Sequence, residues 1–221
     1  MSYHYSDNMG MDLMNSYVAK ILIAARPEDS INSIAKRIDL SYGWTYKWIQ
    51  DMIEEGIFKW QKHKIAVQSN HHFYRQTIDY IKQAFASEVG FYYSVLQLFG
   101  ITYCFGKTDA VFVWTKGGYN IGRSKEYYPV FVTIKTADRF LFEQYCKKLD
   151  LQINAQSGVF YIVEFLDEFP REFCDGIPTE PIDETIAFMK KYIYNFQPAL
   201  EMISEMYDKK LNIQYKEAVY D

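Results

Sequence analysis

The strongest constraint on the fold lies between Ser30 and Phe58, where two runs of apolar residues at helical spacing flank a short turn and end in a glycine. Ile31, Ile34, Ala35 and Ile38 share one helical face behind Ser30, a residue suited to accept from the free N–H groups at a helix start. Asp39-Leu40-Ser41-Tyr42-Gly43 makes the turn. A further helix from about Ser41 or Trp44 to Glu55 then has Thr45, Ile49, Met52 and Ile53 inward, and Gly56 closes it. Thr45, Ile49 and Ile53 stand at i, i+4 and i+8, which lays one face of that helix against its neighbours. Ala35 supplies the small residue that lets two helices cross closely.

The flanking segments extend the pattern. Tyr17, Val18, Ile21, Leu22 and Ala25 predict a helix that Arg26-Pro27 stops. After Gly56 a strand is expected at Ile57–Trp60, a polar turn at Gln61-Lys62-His63, and a second strand at Lys64–Gln68. With Thr45, Ile49 and Ile53 facing in, Tyr42, Gly43, Trp44, Tyr46, Lys47 and Gln50 face out near the helix start. The hairpin adds Lys59, Lys62, His63 and Lys64. Trp48 reads as a packing residue.

This order of three helices and a hairpin, with the segment Ser30–Phe58, resembles the helix-turn-helix core of winged-helix transcription regulators. The resemblance implies a DNA-binding module in which the third helix enters the major groove and the hairpin reaches phosphates or the minor groove. The implied contact set is Tyr42, Gly43, Trp44, Tyr46, Lys47, Gln50, Lys59, Lys62, His63 and Lys64. Double-stranded DNA is the implied partner. A homodimer suits such a module, because two copies meet two half-sites. Winged helices that bind protein instead offer an alternative.

Charge neither demands nor forbids this reading. The net charge is -4, from 24 basic and 28 acidic residues. Lys36, Arg37, Lys47, Lys59, Lys62 and Lys64 face Asp39, Asp51, Glu54 and Glu55 in the front segment, which is mildly basic. The last segment is acidic, with Asp183, Glu184, Glu201, Glu205, Asp208, Glu217 and Asp221. Cys104, Cys146 and Cys174 lie far apart, which argues against a disulfide framework or a zinc site and for reduced thiols. No signal-peptide pattern or membrane-length apolar run is present, so a soluble cytoplasmic protein is expected. Residues 1–12 are expected to be loosely ordered.

Behind this module the sequence predicts an α+β unit. A linking helix from His71 to Ser87 carries Phe73, Ile78, Ile81 and Phe85, and a helix spans Glu88–Gly100. Strands are expected at Ala110–Thr115, Pro129–Ile134 and Val159–Phe165, and a helix at Ala137–Leu149. The loop Lys116–Tyr128 holds three glycines and reads as a flexible turn. The expected division is residues 1–87, module and linker helix, and residues 88–221, an α+β regulatory or dimerisation domain with a small mixed sheet and a C-terminal helical region. In that region Ile186, Met189, Ile193, Phe196, Leu200, Ile203 and Tyr207 alternate spacings of three and four, and Pro198 predicts a break. The seam fits a cover for the domain's own sheet or a homodimer contact.

The run Phe91-Tyr92-Tyr93-Ser94-Val95-Leu96-Gln97-Leu98-Phe99-Gly100-Ile101, with the strands that follow, resembles the AbiEi-type antitoxin family. That resemblance implies a winged helix ahead of a nucleotidyltransferase-like domain, an autorepressing role and a toxin partner. A nucleotidyltransferase needs a Gly-Ser turn and two carboxylates one residue apart, to hold two metal ions side by side. Phe105-Gly106-Lys107-Thr108-Asp109-Ala110-Val111 offers one carboxylate, no Gly-Ser, and Val111 in place of a second acid. The domain is therefore expected to be inactive. Gly117-Gly118-Tyr119-Asn120-Ile121-Gly122-Arg123 lacks the ending of a phosphate loop. His4, His63, His71 and His72 belong to no acid or nucleophile pattern, and His71 and His72 are expected to point apart. No cofactor or metal is expected; an enzyme of unknown chemistry remains the second alternative.

Overall fold

The computed structural model describes residues 16–84 and 88–211 of the chain, and the fold is mixed α and β. Its contacts separate two units. The first runs to Gly100 and takes in Lys147–Leu149; the second holds the remainder from Ile101. The divide thus falls after Gly100, past the expected boundary at residue 87: Val95, Leu96 and Phe99 are fully buried, and Phe99 O accepts from Arg26 Nη2.

The first unit is three helices, a hairpin and two further helices. Helices α1 (Ser16–Ala24), α2 (Ile31–Arg37) and α3 (Tyr42–Glu54) precede strands β1 (Phe58–Gln61) and β2 (Lys64–Val67). Helix α4 (His72–Ala84) and α5 (Glu88–Val95) follow, with a 3-10 turn at Leu96–Leu98. Ile21, Leu22, Ile34, Ile49, Ile57 and Phe58 form a fully buried centre. On α4 the buried face is Tyr74, Thr77, Ile78 and Ile81, so the expected Phe73 is displaced outward to 37% exposure. The remaining predicted positions, Phe85 and the helix end at Ser87, lie outside the described residues, as do residues 1–12, His4, Glu217 and Asp221.

A buried ion pair braces this unit. Arg37 meets Asp29 at 2.6 Å, with both side chains 9% exposed, and Asp29 also accepts from Arg26 N at 2.8 Å. Arg37 Nη1 reaches Ala24 O at 2.8 Å, and Ile65 N donates to the backbone carbonyl of Asp29 at 2.8 Å, so Asp29 and Arg37 together tie α1, α2 and β2. Lys148 donates to Leu22 O, Ile23 O and Ala25 O at 2.7, 2.9 and 2.7 Å, satisfying carbonyls that the end of α1 leaves without helical partners.

The second unit is a six-stranded mixed sheet with helices. Its strands are β3 (Tyr103–Phe105), β4 (Tyr127–Lys135), β5 (Gln152–Ile153), β6 (Gly158–Leu166), β7 (Glu172–Cys174) and β8 (Ile177–Thr179), in the order β5-β6-β4-β3-β8-β7. Strand β4 runs parallel to β6 and antiparallel to β3. Helices α6 (Lys107–Trp114), α7 (Arg139–Leu149, whose last three residues belong to the first unit), α8 (Ile182–Lys191) and α9 (Ile193–Met206) complete it.

Two expectations are corrected here. The strand expected at Ala110–Thr115 is helix α6. Its residues are strand-like in type, but Ala110, Val111, Val113 and Trp114 are all buried, and tertiary burial decides between helix and strand where propensity is weak. The C-terminal break falls at Tyr192, and α9 continues through Pro198. Of the apolar seam, Ile186, Met189, Phe196, Leu200 and Ile203 are buried, while Ile193 and Tyr207 are half-buried. Among the described residues no helix is long and apolar enough to cross a membrane.

Candidate nucleic-acid interface

The local chemistry of α3 fixes which side chains face outward. Ser41 is its N-cap, with extended backbone and a hydroxyl that accepts from Trp44 N at 3.3 Å. Thr45 turns its hydroxyl back to Ser41 O at 3.0 Å, so this polar residue is buried without cost to its hydrogen bonding. Thr45, Trp48, Ile49 and Met52 are buried and Ile53 is half-buried. Gly56, at φ +77°, ends the helix where a side chain would be strained.

The opposite face carries Tyr42, Gly43, Trp44, Tyr46 and Lys47, all exposed. Tyr42 and Trp44 are each 53% exposed and Tyr46 44%. The rings are not scattered. Tyr17 stacks on Trp44 with centroids 6.0 Å apart, Tyr42 lies 6.0 Å from Tyr46, and Lys47 Nζ sits 5.6 Å from the Trp44 ring and 5.5 Å from Trp48. Gln50 departs from expectation: it is half-buried, and its Nε2 is a buried atom with no hydrogen-bond partner among the described residues. As the helix turns toward the core, position 50 falls at the edge of the outward face.

The hairpin supplies the second group. Phe58 pairs with Val67 and Gln61 with Lys64, which leaves Lys62-His63 as a two-residue turn with Lys62 at φ +60°. Lys59, Lys62, His63 and Lys64 are exposed. Lys64 meets Glu28 at 3.2 Å, so its charge is shared with an exposed acid. The front segment is less basic than a residue count implies, since Arg37 is neutralised inside the unit by Asp29. Tyr17, 38% exposed, joins the aromatic face through Trp44, and Trp60 on the hairpin is 45% exposed; neither is among the expected contact residues. Their signal was the alternation of the strand and the edge of the first helix.

The second unit turns its polar groups inward. Asp109 is fully buried and pairs with Arg123 at 2.8 Å; its second oxygen accepts from Phe131 N at 2.7 Å. Arg123 also donates to Pro129 O and Asn120 Oδ1 and stacks 4.2 Å from the Tyr128 ring. The glycine-bearing loop, expected to be a flexible turn, is therefore pinned at Arg123. The turn after β3 is Gly106-Lys107, and the β4 residues across from it are Phe131, Val132 and Thr133, none a carboxylate. A cleft of about 260 Å3 there includes Lys107, Thr133, Glu164 and Glu180. Glu180 accepts from Lys107 N at 2.9 Å, and burial raises its carboxyl above the usual range.

His71 and His72 do not point apart: their rings lie 4.8 Å from one another, because His71 precedes α4 and is not part of it. Among the described residues no group of three or more His, Cys, Asp or Glu is placed to hold a metal ion. The three cysteines are buried and unpaired, and burial pushes the Cys104 thiol up to about 12. No family model, no curated protein and no solved structure matches this chain.

Proposed function

We propose that the first unit is a winged helix that binds double-stranded DNA through the start of α3 and the β1–β2 hairpin, and that the chain is a cytoplasmic transcription regulator without catalytic activity. The single observation that supports this is the division of α3: Thr45, Ile49 and Met52 anchor it, while Tyr42, Gly43, Trp44, Tyr46 and Lys47 stand clear at its N-terminal half. No acidic residue lies in its first turn, so the N–H groups and partial positive charge there favour a phosphate. Lys59, Lys62 and Lys64 extend the same sign along the hairpin. An autorepressing, antitoxin-like role with a toxin partner, a homodimer and an inactive nucleotidyltransferase-like second domain belong to the same proposal. They follow from the family resemblance alone.

A fluorescence anisotropy titration with genomic duplex fragments tests it. Binding is expected to weaken with salt, each phosphate contact adding a slope of about -0.9 to log K against log salt. Absence of binding to any fragment at low salt, by folded protein, sinks the proposal. The second reading is a protein-binding winged helix, and the exposed rings of Tyr17, Tyr42, Trp44, Tyr46 and Trp60 favour it, since Trp and Tyr dominate protein interfaces. A partner that shields Trp44 from a fluorescence quencher in the absence of DNA would select that reading.

A further inference from the structure

The root of the hairpin carries a cavity of about 400 Å3 whose wall includes Lys59, Gln68, Ser69, Asn70 and His71. The geometry points to this cavity as a second phosphate-gripping site, which holds a backbone phosphate of the duplex away from the face of α3. This rests on the DNA-binding reading above and adds residues that the sequence pattern did not single out.

Four observations carry it. No carboxylate lines the cavity, and Lys59 forms no ion pair among the described residues, in contrast to Lys64 with its Glu28. Asn70 is oriented: its Oδ1 accepts from Arg75 Nη2 at 3.0 Å, which leaves the amide N–H groups as donors and sets a guanidinium beside the wall. His71 has a fully buried Nδ1 with no hydrogen-bond partner among the described residues, and its ring lies so close to Gly56 that a Cβ there would meet Nε2 at 3.3 Å. Finally, the Gln68-to-His71 turn, closed by His71 N donating to Gln68 O at 2.8 Å, leads directly into α4, whose first turn holds no acid. An ammonium and an amide thus border a space that no carboxylate lines, with the His71 ring in its wall, which suits a phosphate oxygen.

The test compares Asn70→Asp with wild type on random-sequence and genomic duplex by anisotropy across salt. The substitution keeps shape, can retain the Arg75 contact, and sets a carboxylate in the wall. It is expected to lower affinity for both duplexes alike, by about tenfold, the equivalent of one hydrogen bond to a charged group, and to reduce the salt slope by about 1. Lys59→Gln is expected to act in the same direction, with circular dichroism unchanged. Unaltered affinity and slope in Asn70→Asp, with Lys62→Ala still weakening binding, overturns this site and leaves the DNA reading intact. Failure of wild type to bind duplex overturns both. A third arm titrates inorganic phosphate and follows the His71 and Asn70 NMR signals. Saturable binding there that Asn70→Asp abolishes, while its duplex affinity is unaltered, overturns the backbone assignment in favour of a free phosphate ligand.

Discussion

The two units spend their polar chemistry in opposite directions. In the second, Asp109 and Arg123 are buried together and fasten the Lys116–Tyr128 loop to β4, so their charges serve the fold. In the first, the buried pair Asp29–Arg37 braces the frame, but the aromatic and basic side chains of α3 and the hairpin face solvent with little to cover them. Large exposed rings cost apolar surface, and a chain that carries several together on one unit gains nothing in stability from them. Under the proposed function, that difference assigns recognition to the first unit and leaves the buried charges of the second to its fold. It also makes the same kind of substitution answer differently in each.

The sharpest break of that comparison is Arg123→Ala. It leaves Asp109 buried without its cation, and removing one partner of such a pair typically costs about 3–5 kcal/mol. Unfolding in denaturant, followed through amide exchange on β4 and α6, is expected to show this loss in the second unit. The first unit should retain its exchange protection. Equal loss of protection in both would mean that they do not respond separately.

Next in size is the contrast within α3. Ile49→Ala removes a fully buried side chain and is expected to destabilise the first unit by roughly 3 kcal/mol. Trp44→Ala, at a half-exposed position, is expected to stay within about 0.5 kcal/mol while duplex affinity falls. A Trp44 variant that loses stability as Ile49→Ala does would make Trp44 a packing residue.

This contrast also marks what the sequence could tell. The first unit is readable because its helices carry their signals locally: Ser30 caps, Gly56 stops, and the i, i+4, i+8 spacing at Thr45, Ile49 and Ile53 sets a face. The second was less so, because long-range contacts decide it. Ala110–Trp114 has the residue types of a strand and becomes a helix through burial on its own unit. Strands β3, β5, β7 and β8 are two or three residues long, too short to show alternation. The Asp175-Gly176 turn, at φ +49° and +84°, was the one visible mark of the β7–β8 hairpin. At the candidate interface, Gln50 falls at the edge of a helical face, and the exposure of Trp60 depends on a strand partner that the sequence does not name.

The units should also differ in how pH acts on them. Burial holds the Lys148 amine down at about 7 against an ordinary 10.5. The unfolded chain therefore binds the extra proton between those values, and the stability of the first unit rises as pH rises through them. Cys104, pushed up to about 12 from 9.0, works the other way in the second unit: the folded state keeps its proton, and stability is lost above pH 9. Between pH 7 and 8.5 amide exchange is expected to show a gain on the order of 1 kcal/mol in the first unit alone. Lys148→Met should remove that gain. A flat profile in wild type would show that the amine keeps its ordinary titration in the folded unit.

The smallest effect expected is at Lys64. Its pair with Glu28 is exposed on both sides, at 55% and 67%, and such pairs contribute about 0–1 kcal/mol, less in salt. Lys64→Ala should therefore leave the unfolding midpoint of the first unit almost unchanged. If the hairpin holds phosphates, the same substitution lowers affinity for random and genomic duplex equally and takes about one unit from the salt slope. Glu28→Gln sharpens the point. Freed of its acid, Lys64 should bind phosphate more strongly, so duplex affinity rises with no change in stability. Anisotropy and thermal unfolding on the two variants separate the roles. A loss of affinity in Glu28→Gln would assign Lys64 to the frame of the first unit, beside Arg37, and not to its outward face.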